Sequence, residues 1–101
     1  MNYQNIDAQT FEELMRKKNH VVIDVRSAQE YAEGKIDPHK LINFFGADFK
    51  VQIEKLDQSK TYLVYCRSGN RSGKACAMMG QIGFKNLYNL EGGIGAWNAK
   101  G

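Results

Sequence analysis

Tyr62-Leu63-Val64-Tyr65-Cys66-Arg67-Ser68-Gly69-Asn70-Arg71-Ser72 is an apolar run that breaks into a compact polar loop and then into a helical pattern. Thr61 to Tyr65 is rich in β-branched and aromatic residues, the composition of a buried strand. Beyond the loop, Ala75, Met78, Met79 and Ile82 fall at i, i+3, i+4 and i+7, one face of a helix that Gly83 stops. Strand, tight loop and helix form one unit of a parallel sheet with crossover helices. Such sheets bind ligands outside the carboxyl ends of their strands, where Cys66 stands.

The same unit recurs on both sides. Upstream, Val21-Val22-Ile23-Asp24-Val25 reads as a strand covered on both faces. Asp7 is placed to cap a helix carrying Phe11, Leu14 and Met15, and Ser27 with Glu30 makes a capping box for a short helix that Gly34 ends. Leu41 to Phe44 reads as a further short strand, and Phe49, Ile53 and Leu56 mark a helix opening near Asp48. Downstream, Leu87 to Leu90 is the last strand, and Gly92 to Trp97 a turn and short helix. With a first strand near Tyr3 to Ile6, the chain predicts an α/β fold of about five mostly parallel strands, flanked by helices on both faces.

A length of 101 residues has room for one domain, residues 1–101, and 43% apolar residues are enough for one core. No apolar run approaches the roughly 20 residues that cross a bilayer, so no membrane partner is expected. The first residues lack a basic and apolar leader, and two cysteines, Cys66 and Cys76, are too few for a disulfide framework. Both features point to a reducing cytoplasm. The net charge of +3 is unevenly placed: residues 1–57 hold eight Lys/Arg against ten Asp/Glu, and residues 58–101 hold six against one, Glu91. That field suits a small anionic substrate or an acidic partner. Nucleic acid is disfavoured, because the basic residues are dispersed and no aromatic-basic module accompanies them.

The loop has the makings of an anion nest. Ser68, Gly69 and Asn70 tolerate left-handed backbone, so successive N–H groups can turn inward, and the next helix aims its positive end at the same place. Arg67 and Arg71 add charge. A thiol there ionises readily, whereas Cys76, beside core-facing Ala75, reads as an inert buried thiol.

Cys66-Arg67-Ser68-Gly69-Asn70-Arg71-Ser72 resembles the active-site loop of the rhodanese (thiosulfate sulfurtransferase) family. Asp24-Val25-Arg26 with Glu30-Tyr31 and Gly34, and Leu90-Glu91-Gly92-Gly93 with Trp97, resemble the family's flanking motifs, so the likeness spans nearly the whole chain. It implies a thiosulfate sulfurtransferase in which Cys66 takes sulfur from a small anionic donor such as thiosulfate. The sulfur then passes to cyanide, a thiol or a sulfur-accepting protein. It also implies that Arg67, Ser68, Gly69, Asn70, Arg71 and Ser72 bind the anion, and that Asp24 and Arg26 brace the loops. The stretch Gly34 to Asn43 departs from the family's Gly-His-Ile-Pro-Gly-Ala: the histidine after the glycine is lost and the proline has moved to position 38.

No cofactor or metal is expected. Gly92-Gly93 and Gly95 precede no helix long enough for a dinucleotide, Met78-Met79 is helix core, and His20 and His39 sit in polar turns without ligand spacing. Two other functions use the same nucleophile. A phosphatase or arsenate reductase is disfavoured by loop length: Cys66 to Arg71 is Cys-x4-Arg, and related phosphatases use Cys-x5-Arg to cradle a tetrahedral oxyanion. A protein-to-protein sulfur-relay module is indistinguishable from the enzyme at this level.

Overall fold

β4 (Thr61–Tyr65) lies in the middle of a five-stranded sheet, between β2 (His20–Asp24) and β5 (Leu87–Leu90), with β3 (Lys40–Leu41) and β1 (Gln4–Ile6) at the two edges. The computed structural model describes residues 3–38 and 40–100; His39, expected in a polar turn, lies outside the described residues. All four pairings are parallel, so each strand is followed by a crossover that returns the chain to the same end of the sheet. Register then brings the carboxyl ends together: Asp24 pairs with Tyr65, and Val64 with Asn89.

Alternation along the strands divides the core between two faces. Val22, Leu63, Tyr65 and Leu90 point to the side where α1 (Ala8–Met15) supplies Phe11 and α5 (Gly93–Ala99) supplies Trp97. Ile23, Tyr62, Val64, Cys66 and Leu87 point to the other, against α3 (Phe49–Glu54) and α4 (Asn70–Gln81), which contribute Phe49, Ile53, Ala75, Cys76 and Met79. Burial on both faces is why β2 and β4 read as continuous apolar runs. Phe11 is fully covered and meets Tyr65 and Trp97 edge-on; truncating a ring so placed costs roughly 3–5 kcal/mol.

Local signals place the helix starts. The Asp7 carboxylate accepts the Thr10 N–H at 2.9 Å. Ser27 and Glu30 exchange side-chain and backbone bonds at 3.2 and 3.1 Å, which opens α2 (Ala28–Glu33). Asp48 occupies the N-cap position of α3 but bonds the Gln52 side chain instead of the backbone.

The expected strand over Leu41 to Phe44 is shorter than its composition suggests. Its ladder covers Lys40 and Leu41; Ile42 and Phe44 still donate to the carbonyls of Asp24 and Val25, after which Asn43 accepts the Phe45 N–H at 3.0 Å and turns the chain. An edge strand has one partner, and an Asx turn competes for its end.

Candidate active site

Cys66 follows the last residue of β4 and turns its sulfur toward α4. There the chain changes direction within three residues, and Gly69 makes this possible. Its φ of +99° is left-handed, and a Cβ would stand 3.2 Å from the Leu90 carbonyl oxygen and 3.3 Å from the Gly92 nitrogen. The turn carries the Gly69 N–H to 3.1 Å from Cys66 Sγ. The first turn of α4 adds the Ser72 N–H at 3.4 Å and the Ser72 hydroxyl at 3.3 Å. The Ser72 N–H is among the first four of the helix, which have no partner within it.

The loop is seated from below by the turn into α5. Gly93 has φ +62°, and a Cβ there would fall 2.4 Å from the carbonyl carbon and oxygen of Arg67. The Ile94 N–H bonds the Cys66 carbonyl at 3.0 Å. The Gly-Gly pair near the carboxyl end is therefore the surface on which the cysteine loop rests.

Two ion pairs stand beside it. Asp24 accepts from the Arg26 guanidinium at both carboxylate oxygens, 3.0 and 2.7 Å for the shortest contacts, and Arg26 also donates to the Gly34 carbonyl at 2.6 Å. Both side chains are buried, and the guanidinium lies 5.4 Å from the Tyr65 ring centre. One arginine thus joins the end of β2, the end of α2 and the residue before Cys66. The Tyr65 hydroxyl accepts the Ile36 N–H at 3.0 Å, which anchors the stretch after Gly34 to the same place.

Arg71 has a partner that the loop sequence does not show. Expected to add a charge beside the thiol, its guanidinium is also tied to the Glu30 carboxylate through two bonds of 2.8 Å, and about four-fifths of each side chain is covered. The bond from Arg71 pulls the Glu30 carboxyl down to about 2, despite the opposing effect of burial. Arg67, Ser68 and Asn70 are exposed, and Arg67 has no ion-pair partner among the described residues. Arg67, Arg26, Glu30 and Ile94 share the lining of a small cleft.

The two thiols are electrostatic opposites. Burial alone would raise Cys66, but the hydroxyl and N–H of Ser72 and the N–H groups of Ser68 and Gly69 outweigh it, and the thiol lies below its ordinary value. Burial pushes Cys76 up to about 12, and the nearby Cys66 charge acts in the same direction. Both thiols are free.

One member of this network was not singled out from sequence. Asn89 of β5 is buried, and its amide nitrogen donates to the Gly69 carbonyl at 3.1 Å and to Asn5 Oδ1 at 2.9 Å. Its signal was available: Leu87 and Asn89 share a strand face, so a polar residue occupies a core position on the strand next to β4.

The family model for the rhodanese-like domain matches residues 7–100. The chain is 33% identical over 99 residues to the thiosulfate sulfurtransferase GlpE of Coxiella burnetii, covering 98% of this chain and 91% of that one. It is 38% identical over 88 residues to GlpE of Pseudomonas putida, covering 86% and 77% respectively. Among solved structures, a rhodanese-related protein from Thermoplasma volcanium superposes with a TM-score of 0.84 at 31% identity, covering 98% of this chain and 94% of that one. A rhodanese-like domain protein from Staphylococcus aureus superposes with a TM-score of 0.79 at 27% identity, covering 93% and 90%.

Proposed function

This chain belongs to the rhodanese-like domain family, and from that premise we propose that residues 1–101 act as one thiosulfate sulfurtransferase unit with Cys66 as the sulfur carrier. The observation that carries the reading is the Cys66 sulfur, which faces two N–H groups and a hydroxyl at 3.1–3.4 Å and has its thiol pKa lowered.

In the first half-reaction the Cys66 thiolate attacks the outer sulfur of thiosulfate. The new S–S bond forms as the old one breaks, and sulfite leaves with the bonding pair. The N–H groups that hold the thiolate then face the persulfide, and exposed Arg67 is the cation available to the sulfonate end of the donor. In the second half-reaction cyanide or a thiolate attacks the outer sulfur, forming thiocyanate or a new persulfide and returning Cys66 as thiolate. No proton need be stored and no cofactor takes part. A thiol that must stay reduced between turnovers suits the cytoplasm. A sulfur-accepting protein could replace the small thiol in the second step.

The deciding experiment is intact-protein mass spectrometry. Thiosulfate should add one sulfur atom, cyanide should remove it with release of thiocyanate, and Cys66→Ser should take up none. Absence of sulfur uptake by the native chain at every donor concentration would overturn the assignment.

A further inference from the structure

The Ser72 hydroxyl faces two acceptors and has one proton. Its oxygen is 3.3 Å from Cys66 Sγ and 2.5 Å from Asn89 Oδ1. The orientation of the Asn89 amide is settled by its other partners. Its nitrogen lies 3.1 Å from the Gly69 backbone carbonyl, which can only accept, so the oxygen is the atom that faces Ser72. Both amide protons are spent, one on Gly69 and one on Asn5 across the β1–β5 pairing, where Asn5 and Asn89 are register partners. An amide oxygen cannot donate. While Ser72 bonds Asn89, its hydroxyl proton is directed to Oδ1 and its lone pairs remain for the sulfur.

We propose that Asn89 is a positioning residue for the nucleophile, acting through Ser72: it draws the hydroxyl proton onto its own oxygen while Cys66 is a thiol and gives it up to the sulfur when the thiolate forms. In the thiol state the order of donation is Cys66 S–H to Ser72 Oγ, then Ser72 O–H to Asn89 Oδ1. When the thiol proton has left to solvent base, the sulfur becomes the stronger acceptor and the hydroxyl rotates to it. When the sulfur is tied up in a persulfide, the negative charge moves to the outer atom and the hydroxyl has Asn89 to return to. The serine proton thus follows the charge through the cycle, and the inner sulfur is not gripped at one stage at the expense of the next. The idea rests on Cys66 as the sulfur carrier, as above.

The other charges around Cys66 stay fixed. Arg71, paired with Glu30, comes from α4, buried Arg26–Asp24 from the end of β2, and Cys76 from the interior of α4. Arg67 belongs to the loop itself, and β5 contributes the uncharged Asn89.

The test is a two-by-two set, Ser72→Ala and Asn89→Ala singly and together, in a Cys76→Ser background that leaves one thiol. The Cys66 titration is followed by the ultraviolet absorbance of the thiolate, which needs neither sulfur donor nor access to the sulfur. With Ser72 present, Asn89→Ala should lower the midpoint by about 0.5–1 pH unit, the worth of one hydrogen bond no longer competing. With Ser72→Ala, the same change should leave the midpoint where it was. Equal shifts in both backgrounds, or no downward shift with Ser72 present, would overturn the proposal and leave Asn89 as a strut. Should Asn89→Ala not fold, the Raman S–H stretch of the Cys76→Ser protein at low pH decides. A hydrogen-bonded frequency that moves to the free value on Ser72→Ala supports the donation order, and a free frequency with Ser72 present refutes it. Loss of sulfur uptake counts against the function; the titration judges Asn89 independently.

Discussion

Arg71 and Glu30 meet end on, Nη1 to Oε1 and Nη2 to Oε2, across a sequence separation of 41 residues. The same carboxylate closes the Ser27 capping box, so the start of α2 and the start of α4 are held by one group.

That group predicts an acid limb in stability. The Glu30 carboxyl falls from 4.5 to about 2, first because of Arg71 and then, against burial, because of Ser27. A pKa depressed by folding stabilises above the unfolded value and is lost as pH falls through the folded one. The stability difference between the native chain and Glu30→Gln, measured by urea denaturation, should be constant above about pH 5 and disappear toward pH 2. A difference independent of pH would show that the pair contributes nothing.

Removing the arginine should act on the thiol as well as on the fold. Arg71→Ala should cost about 1 kcal/mol, the upper range for a partly exposed pair. It also leaves the Glu30 charge unbalanced beside the loop, so the Cys66 titration should move up and sulfur uptake at neutral pH should slow. Adding Glu30→Gln should bring the titration back toward the native value. Thiolate absorbance on the three proteins tests this, and no recovery in the double variant would place the effect elsewhere.

The two cysteines should separate cleanly in alkylation. With Cys66 lowered and Cys76 raised to about 12, iodoacetamide at neutral pH should add once to the folded chain, at Cys66. A second addition should require denaturant. Peptide mapping reads the site, and comparable labelling of Cys76 in the folded protein would contradict the contrast described here.

Arg26→Ala should strand the buried Asp24 carboxylate and cost roughly 3–5 kcal/mol, whereas replacing both partners by apolar residues should recover much of the loss. Chemical denaturation of the single and double variants gives the comparison. A single-variant cost under about 1 kcal/mol would mean that the pair behaves as if it were on the surface.

Most of the fold was legible because the strands are buried on both faces and the turns carry strong local chemistry. β4 and β5 fall where their apolar runs do, Asp7 and Ser27 cap the helices that they precede, and Glu30 in the first turn of α2 completes the second cap. The cysteine loop could be placed because a strand end and a helix start bracket it within a few residues. Glu30 reads as a helix cap and as part of a flanking motif, but not as the partner of Arg71, since nothing local reports a partner 41 positions away. The role of Gly93 was likewise hidden: its reason is the Arg67 backbone 2.4 Å from a would-be Cβ, a contact made only in the folded chain. The short β3 escaped because an apolar run does not reveal that it lies at an edge.

Cys66 is only 1% exposed, although its environment favours the ionised form. A sulfur that is reactive but covered sorts its reactants by width. On the proposed reading slender groups, such as the outer atom of thiosulfate, a linear cyanide or the methylene of iodoacetamide, reach it end-on, while a broad oxidant finds charge without access, and oxidation requires both. Loading changes that balance. In the proposed persulfide the transferred sulfur would stand about 2 Å beyond the first, so a loaded protein would offer its cargo at a shallower depth than the empty protein keeps its own thiol. On the proposed mechanism, burial of Cys66 gives each half-reaction its own size limit, and the acceptor is allowed to be the larger molecule.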